Sequence, residues 1–307
     1  MSKAKLAYAI WPWGLKTQEQ MITALQDIKA IGFNYFESVS NAVDMFRDKL
    51  PEFRAITAKY QVYPVSFYFW HTGDIVKDVQ TFEKALDFLA ANNIKTVSIQ
   101  AKGKKGGATE QELKECVATL EKLGQAAKPY GITPCLHPHA NTVIMYEKEV
   151  DFAMRNTNPD EIGFGPDTAH LTVGLCDAVE IFDRYAKRIK FVHLKDVKKN
   201  KKAQADDGKQ GFEVFSSFLE LGEGEVDLPG IFKILDKAGF DGYLTAELDS
   251  SRFGNKESAA MNMKYLKTHG FNQEADAATV SCSRGGDAVA AEGIHAVTGA
   301  ATRIKIH

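Results

Sequence analysis

Short apolar runs alternate along the chain with longer segments in which apolar residues recur every three or four positions. The longer segments predict amphipathic helices, because that spacing places the apolar side chains on one face. The short runs predict strands, and each leads into a polar residue or a turn. Eight strands are predicted: LAYAI from Leu6, FNYFE to Glu37, YPVSFYF to Phe69, IKTVSIQ to Gln100, ITPCLH to His137, IGFGPD to Asp167, IKFVH to His193 and GYLTAE to Glu247.

The alternation of strands and helices predicts an α/β fold of the (β/α)8 TIM-barrel type. Most successive strands are separated by roughly 30 residues, the length of a βα unit, and eight such units make a barrel of about 250 residues. A doubly wound sheet is the alternative for the same alternation. Its glycine-rich turn should follow the first strand, but IWPWGLKT does not match GxGxxG. We therefore predict one barrel domain over residues 1–270.

The last part of the chain, residues 271–307, has a different composition. It is rich in alanine and glycine and shows neither a helical nor a strand period. We interpret it as a C-terminal extension that is disordered or an artefact, with an oligomerisation arm as a further alternative. We assign no chemistry to it.

The charge of the chain is nearly balanced, with 38 basic and 40 acidic residues and a formal net charge of -2. This balance lacks the basic excess of proteins that bind a phosphate backbone, so no nucleic acid partner is predicted. The chain shows no signal-peptide pattern and no run of 18 apolar residues, so we expect a cytoplasmic protein without a membrane segment. The four cysteines form no CxxC pair, which argues against a thiolate zinc site or a disulfide framework.

Four potential metal ligands lie at the ends of four predicted strands: His137, Asp167, His193 and Glu247. Two imidazoles and two carboxylates form a mixed nitrogen and oxygen set that suits a divalent metal ion. In a TIM barrel the carboxyl ends of all strands meet at one face, where active sites lie. A bound cation would also offset the cost of burying two carboxylates. The sequence therefore predicts a metal centre at this face.

Residues beside these ligands are candidate catalytic groups. His139 lies two positions after His137, so both side chains point to the same side of a strand, and the reverse assignment, with His139 as the ligand, stays open. Lys195 is related to His193 in the same way. Beside a cation its charged form would be disfavoured, which suits a lysine that polarises a carbonyl or relays a proton, although it could also cap a solvated loop. Glu247 is a candidate for proton transfer as well as a ligand.

Substrate contacts are predicted around the same face. His170 follows Asp167 across a turn, where it contacts the substrate, adds a ligand or caps a helix. Trp11, after the first strand, would give an apolar wall for a sugar-like ring. A structural role is the alternative at each of these positions. The remaining candidates follow strands two to four: Glu37, Trp70, His71 and Gln100.

Five segments resemble a known family. HPHANT, PDTAHL, VHLKDV, LGEGEVDL and TAELD, in this order and at these strand ends, resemble the sugar phosphate isomerase/epimerase superfamily of xylose isomerase-like TIM barrels. The similarity covers residues 5–268. Within the superfamily, the segments look most like those of the inosose dehydratases, which remove water from a keto-inositol in inositol catabolism.

The resemblance implies a divalent metal, manganese or cobalt with magnesium and zinc as alternatives, held by His137, Asp167, His193 and Glu247. It implies a metal-dependent lyase or isomerase that acts on a polyhydroxylated keto substrate through an enediolate, most similar to an inosose dehydratase. The ketose 3-epimerases of the superfamily have a glutamate at the strand-five position, where this chain has His137. This difference favours dehydration over proton exchange on two faces of the substrate.

Several alternatives stay open. A ketose or sugar phosphate isomerase or epimerase comes first, followed by a dehydroshikimate-type dehydratase. A catalytically silent carbohydrate-binding barrel would bind its ligand without metal dependence. An enzyme like endonuclease IV would need more zinc ligands and a basic surface. A small polyol or keto-sugar is the expected partner, and a homo-oligomer is an expectation on general grounds only.

Overall fold

The computed structural model describes residues 3–198 and 218–272, and eight parallel strands in these ranges form the wall of a barrel. Two further short strands, β8 and β9, pair antiparallel with each other in a separate sheet. The ten strands are β1 Lys5–Ala9, β2 Tyr35–Val39, β3 Tyr63–Trp70, β4 Thr96–Gln100, β5 Thr133–His137, β6 Gly163–Phe164, β7 Phe191–Leu194, β8 Asp196–Val197, β9 Phe218–Leu219 and β10 Tyr243–Ala246.

Helices connect successive wall strands, and the connections from β2 to β3 and from β6 to β7 each contain two of them. The described helices are α1 Gln18–Ile31, α2 Ser40–Phe46, α3 Leu50–Tyr60, α4 Ile75–Ala91, α5 Glu110–Ala127, α6 Glu147–Asn156, α7 Thr168–Val173, α8 Ala178–Arg184, α9 Leu228–Lys237 and α10 Asn255–Thr268.

The wall closes into a ring. Its hydrogen-bonded strands run in the order β6-β5-β4-β3-β2-β1-β10-β7. Parallel bridges from Phe164 to Ile189 and from Asp167 to His193 join the two ends of this order. The sixth strand is short, and Pro166, which follows it closely, has no N–H to continue a ladder. Closure of the ring brings the carboxyl ends of all eight wall strands to one face.

Side chains that accept backbone N–H groups fix the starts of several helices. Thr17 Oγ1 accepts from the N–H of Gln20 at 3.3 Å, and Gln20 Oε1 accepts from the N–H of Thr17 at 3.1 Å, which forms a capping box before α1. Thr109 and Glu112 form the same arrangement before α5. After α1, Gly32 has a φ of 113°, in the left-handed region, and turns the chain towards β2.

The core between wall and helices is apolar, whereas part of the barrel interior is polar. Phe53, Phe67 and Phe88 are buried, and their ring centroids lie 5.0 to 6.5 Å apart. Glu37 on β2 and Ser66 on β3 are also fully buried, and they hydrogen-bond each other. A buried polar group is costly unless it is bonded, and here the two groups bond each other.

One carboxylate, that of Asp196, organises the LGEGEVD segment between β9 and α9. Its Oδ1 accepts from the N–H groups of Val197 and Val226 at 2.8 and 3.1 Å, and its Oδ2 accepts from those of Gly222 and Gly224 at 3.0 Å each. A Cβ at Gly224 would lie 2.2 Å from Asp196 Oδ1. Glycine is therefore needed at 224 for this close approach.

The predicted TIM barrel is confirmed, and each of the eight predicted strands appears in the wall. The closed ring excludes a doubly wound open sheet. Of the predicted C-terminal extension only Phe271 and Asn272 are described, so that prediction lies almost entirely outside the described residues. The cysteines within the described ranges, Cys116, Cys135 and Cys176, are free and buried. In the described part of the chain, no helix combines the length and the apolar character needed to cross a membrane.

Candidate metal centre and active site

The four predicted ligands converge at the carboxyl face of the barrel. His137 is the last residue of β5, Asp167 directly precedes α7, His193 lies in β7 and Glu247 directly follows β10. All four are buried. Ligand atoms of His137, Asp167 and His193 lie within 4.8 Å of one another. Glu247 Oε2 lies 2.9 Å from His193 Nδ1 and so belongs to the same cluster.

We term His137, Asp167, His193 and Glu247 the quartet. Each of them has one buried polar atom without a hydrogen-bond partner. Among the described residues, eight buried side-chain nitrogen and oxygen atoms have no hydrogen-bond partner, and four of these eight belong to the quartet. Buried polar atoms are nearly always hydrogen-bonded, so such a concentration calls for an explanation. The four atoms, one from each residue, are His137 Nε2, Asp167 Oδ2, His193 Nδ1 and Glu247 Oε2. Two nitrogens and two oxygens in one buried cluster form a donor set that fits a divalent cation.

His137 and Asp167 each have a second polar atom that does not face the cluster, and this atom hydrogen-bonds to the backbone. His137 Nδ1 donates to the carbonyl of Gly165 at 3.0 Å, which leaves the lone pair on Nε2. Asp167 Oδ1 accepts from the N–H groups of Ala169 and His170 at 2.8 and 2.7 Å, as the cap of α7. Each ligand therefore presents a fixed atom to the cluster.

The third ligand is held by a carboxylate from across the barrel. His193 Nε2 contacts Glu37 Oε2 in a short ion pair, while Nδ1 faces Glu247. Burial alone would lower the pKa of His193, but Glu37 and Glu247 together raise it to about 10. His193 thus lies between two carboxylates. Its Nδ1 side, where Glu247 Oε2 lies 2.9 Å away, is the side that would face a bound metal ion.

The fourth ligand is bonded by a buried lysine. Lys195 Nζ donates to Glu247 Oε1 at 2.5 Å and to Asp249 Oδ2 at 3.0 Å, and lies 3.6 Å from Asp167 Oδ2. The ammonium also lies 4.5 Å from the ring centroid of Phe218. Lys195 is therefore a buried cation surrounded by carboxylates rather than the cap of a solvated loop.

The carboxylates around Lys195 oppose the effect of burial on its pKa. From the sequence we expect the charged form of Lys195 to be disfavoured beside a bound cation. Burial does act in that direction, but Asp249, Glu247 and Asp167 outweigh it and raise the pKa of Lys195 above its ordinary value. The sequence did not show that three carboxylates surround this ammonium.

Two further imidazoles lie beside the quartet. The ring centroids of His139 and His170 are 3.7 Å apart, and His170 Nε2 lies 3.3 Å from Lys195 Nζ. His139 Nδ1 donates to the carbonyl of Ala140 at 2.9 Å, and burial lowers the pKa of His139 to about 3. His139 is thus a neutral ring whose lone pair is on Nε2.

Two observations bear on the choice between His137 and His139 as the ligand. A second group that could hold a metal joins His137 with His139 and His170, and His137 belongs to both groups. Only His137, however, combines an unbonded Nε2 with the two carboxylates of the quartet. The structure favours His137 as the ligand, with His139 and His170 beside it.

The predicted substrate contacts divide into two sets. Trp11 lies at the site, with its ring centroid 6.0 Å from that of His193. Gln100 Oε1 accepts from the hydroxyl of Tyr68 at 2.6 Å, and the Tyr68 ring lies 5.1 Å from His137. Trp70 is half-exposed beside Tyr68, at the edge of the same face.

His71 and Glu37 occupy places that differ from those expected. The ring of His71 is turned away from the quartet, with Nε2 3.3 Å from Cys116 Sγ of α5 and 3.4 Å from the N–H of Lys102. Burial lowers its pKa to about 4, so it is a neutral interior group. Glu37 lies below the ligands, inside the barrel, rather than at the edge of the pocket.

Three residues near the site were missed by the sequence reading: Tyr68, Asp249 and Phe218. Tyr68 occupies the alternate position before Trp70 in β3, so strand spacing was the available signal for it. Asp249 lies beyond the end of β10, where strand spacing gives no signal. Phe218 had no comparable signal, because it reaches Lys195 from β9, outside the wall.

A closed eight-stranded barrel with four ligand atoms converging at the carboxyl ends of its strands is a TIM barrel with a candidate metal centre. Residues 25–269 match the family model of the xylose isomerase-like TIM barrel. The chain belongs to this family, which confirms the resemblance seen in the sequence motifs.

Similar proteins agree with this placement. The chain is 34% identical over 163 residues to an inosose dehydratase of Clostridium perfringens, a match that covers 52% of this chain and 55% of that protein. It is 30% identical over 206 residues to an inosose dehydratase of Lacticaseibacillus casei, covering 60% of this chain and 68% of that protein. The match thus spans about half the length of the first of these relatives.

A solved structure shares the fold. The IolI protein, whose structure has a binding zinc atom, superposes with a TM-score of 0.70 at 17% identity, covering 86% of this chain and 97% of that chain. At this identity the likeness shows the fold alone.

Proposed function

We propose that this protein is a metal-dependent dehydratase of a polyhydroxylated ketone, an inosose (2-keto-myo-inositol) dehydratase. The observation that carries the proposal is the quartet of unbonded buried ligand atoms with Lys195 bonded to one of its carboxylates. The relatives named inosose dehydratase support the substrate class. The expected partner is a small polyol or keto-sugar, and the expected location is the cytoplasm.

His137, Asp167, His193 and Glu247 would hold the metal. Manganese or cobalt is proposed from the resemblance, and the IolI structure, which shares the fold, has a binding zinc atom, which supports a divalent ion. When bound, such an ion acts as a Lewis acid that stabilises negative charge developing on the oxygen of a substrate carbonyl.

Loss of water from a hydroxyketone needs a base and an acid. The base removes a proton from the carbon next to the carbonyl, and the C–O bond at the next carbon breaks as an acid protonates the departing hydroxyl. His139 is the proposed base, because its Nδ1–H is bonded to a carbonyl and its Nε2 carries the lone pair. Lys195 is proposed to donate this proton and to contact the carbonyl, because its ammonium lies within the ligand cluster, 2.5 Å from Glu247 Oε1 and 3.6 Å from Asp167 Oδ2.

Glu247 is the less suitable base. Its Oε1 accepts from Lys195 at 2.5 Å, and its Oε2 belongs to the ligand cluster. Neither oxygen is therefore left to accept a proton from the substrate. This arrangement also supports dehydration over the runner-up, a ketose isomerase or epimerase, because an epimerase needs two bases on opposite faces of the substrate and the strand-five position holds His137.

Aromatic side chains would enclose the substrate. Trp11 lies beside both His193 and Tyr68, with ring centroids 6.0 and 5.7 Å away. Tyr68 in turn lies 5.3 Å from the ring of Trp70. Flat apolar surfaces above a polar floor suit the faces and hydroxyl groups of a cyclic polyol.

The proposal is tested by following dione formation from 2-keto-myo-inositol, together with interconversion of free ketoses, by metal-stripped protein with and without Mn2+ or Co2+. We expect dione formation that depends on the ion and is absent in His137→Ala. His269→Ala, which removes an exposed histidine at the end of α10, is the matched control and should keep full activity. Interconversion without loss of water would instead identify an isomerase or epimerase, and metal-independent binding without turnover would identify a silent binder.

A further inference from the structure

Glu37 is bonded at both of its carboxylate oxygens deep inside the barrel. It is 0% exposed. Its Oε1 accepts from the hydroxyls of Ser66 and Ser98, on the next two strands β3 and β4, at 2.9 Å each. Three neighbouring strands thus contribute one carboxylate and two hydroxyls to a single inward-facing cluster, which we term the Glu37 cradle.

The other oxygen of Glu37 meets the metal-ligand candidate His193. Glu37 Oε2 contacts His193 Nε2, while His193 Nδ1 is one of the four unbonded ligand atoms. The imidazole ring therefore connects the Glu37 cradle on one side with the metal centre on the other. Its ring plane is also stacked on Tyr68, with an interplanar angle of 9°.

Stability alone does not explain why Glu37 is buried against His193. Replacing a buried pair by apolar residues of similar volume is often neutral or stabilising, and TIM-barrel interiors are usually filled by branched apolar side chains. The Glu37 cradle instead holds one tautomer of one ligand. With Nε2–H donating to Glu37, the lone pair of the neutral ring must be on Nδ1, the atom that faces the other ligands.

We propose that Glu37, with Ser66 and Ser98, is a positioning residue for metal binding: it fixes the ring and the tautomer of His193 and thereby raises the affinity of the centre. The inference rests on the metal centre of the proposed function. It assigns Glu37 a role through His193 rather than a contact with the substrate.

The first test is the zinc affinity of Glu37→Gln, measured with Zn2+ alone by competition against a chromophoric chelator. An amide keeps the shape of the side chain but lacks the negative charge that holds Nε2–H. Removing such an outer partner costs about 10- to 100-fold in metal affinity, and a weakening in that range is expected. An unchanged dissociation constant in a folded variant would overturn the inference.

Single serine replacements give a milder test with a matched control. Ser66→Ala and Ser98→Ala each remove one donor to Glu37, and a loss of about fivefold in zinc affinity is expected from one hydrogen bond. Ser38→Ala removes an equally buried hydroxyl that follows Glu37 directly and has no hydrogen-bond partner, so its affinity should equal that of the unaltered protein. Equal losses in all three variants would show a general packing effect and contradict the role of the Glu37 cradle.

A spectroscopic signature separates positioning from simple stability. In zinc-loaded protein with 15N-labelled histidine, the His193 signals, identified by their loss in His193→Gln, should show a protonated Nε2 and a zinc-bound Nδ1. In Glu37→Gln the Nε2–H should lose its strong hydrogen-bond shift. If the unaltered protein binds no zinc, the metal centre itself fails; if it binds zinc and His193 is bound through Nε2, only the present inference fails.

Discussion

Lys195 Nζ donates to Glu247 Oε1 at 2.5 Å, while the second oxygen of the same carboxylate remains without a hydrogen-bond partner beside His193 Nδ1. One carboxylate therefore connects the candidate metal centre with the buried ammonium. This relationship places a proton donor directly next to a metal-ligand candidate, and it determines which groups remain for the removal of a proton.

Replacing Lys195 by Met should abolish most turnover while zinc binding persists. Loss of a positioned acid typically costs 10²- to 10⁴-fold in rate, and a fall of about that size in kcat is expected. Zinc affinity, measured by chelator competition, should fall far less than in His137→Ala. Full activity in Lys195→Met would remove the lysine from the mechanism.

His139→Gln and His137→Ala should have different effects. His139→Gln should keep zinc binding but lose about 10²- to 10⁴-fold in kcat, because the proposed base is gone. His137→Ala should lose zinc binding as well. Two measurements on the same samples separate the variants: the zinc content after dialysis, and the rate of dione formation. If His139→Gln lost zinc and His137→Ala kept it, His139 would be the ligand.

Asp249→Asn should reduce turnover without affecting metal binding. Asp249 Oδ2 accepts from Lys195 Nζ at 3.0 Å and so holds the ammonium in its position beside Glu247. The asparagine variant should show a lower kcat and an unchanged zinc dissociation constant. Asp236→Asn, an exposed position on α9, is the control, and equal rates in the two variants would argue against a role for Asp249.

Gly224→Ala should destabilise the fold. The new Cβ would lie 2.2 Å from Asp196 Oδ1 and 2.6 Å from the N of Val197, so the segment held by Asp196 must move. A loss of about 1–3 kcal/mol in the free energy of unfolding is expected in urea titrations. Gly107→Ala, where the nearest atom to a new Cβ is the flexible end of Lys148 at 3.5 Å, should change it by less than about 0.5 kcal/mol. Comparable losses in both variants would contradict this account of Gly224.

Bound metal should stabilise the protein by an amount that rises with the logarithm of the ion concentration once this exceeds the dissociation constant. An ion present at about 100 times its dissociation constant adds about 2.7 kcal/mol when it binds only the folded state. Thermal unfolding with and without Mn2+ measures this directly. Asp167→Asn should lose most of the effect, and an equal rise in Tm for that variant would place the ion elsewhere.

Strand ends were the most informative part of the sequence. Each member of the quartet ends a recognisable apolar run: His137, Asp167, His193 and Glu247. In a closed barrel of parallel strands, the carboxyl ends of all strands lie at the same face. The convergence of the quartet was therefore predictable from strand order alone. The family motifs pointed to the same residues.

Depth and orientation were not predictable in the same way. Glu37 looked like an edge residue because it closes an apolar run, but its bonds to Ser66 and Ser98 depend on the register of three strands. His71 lies just past the end of its strand, where alternation no longer fixes direction, and its ring turns towards Cys116. The charge state of Lys195 likewise depended on neighbours that the sequence places more than 25 positions away.

The most direct measurement is the anomalous scattering of a crystal soaked in Mn2+. We expect one strong peak per chain, bonded to His137 Nε2, Asp167 Oδ2, His193 Nδ1 and Glu247 Oε2. A peak held instead by His137, His139 and His170, or no peak at saturating Mn2+, would contradict this expectation.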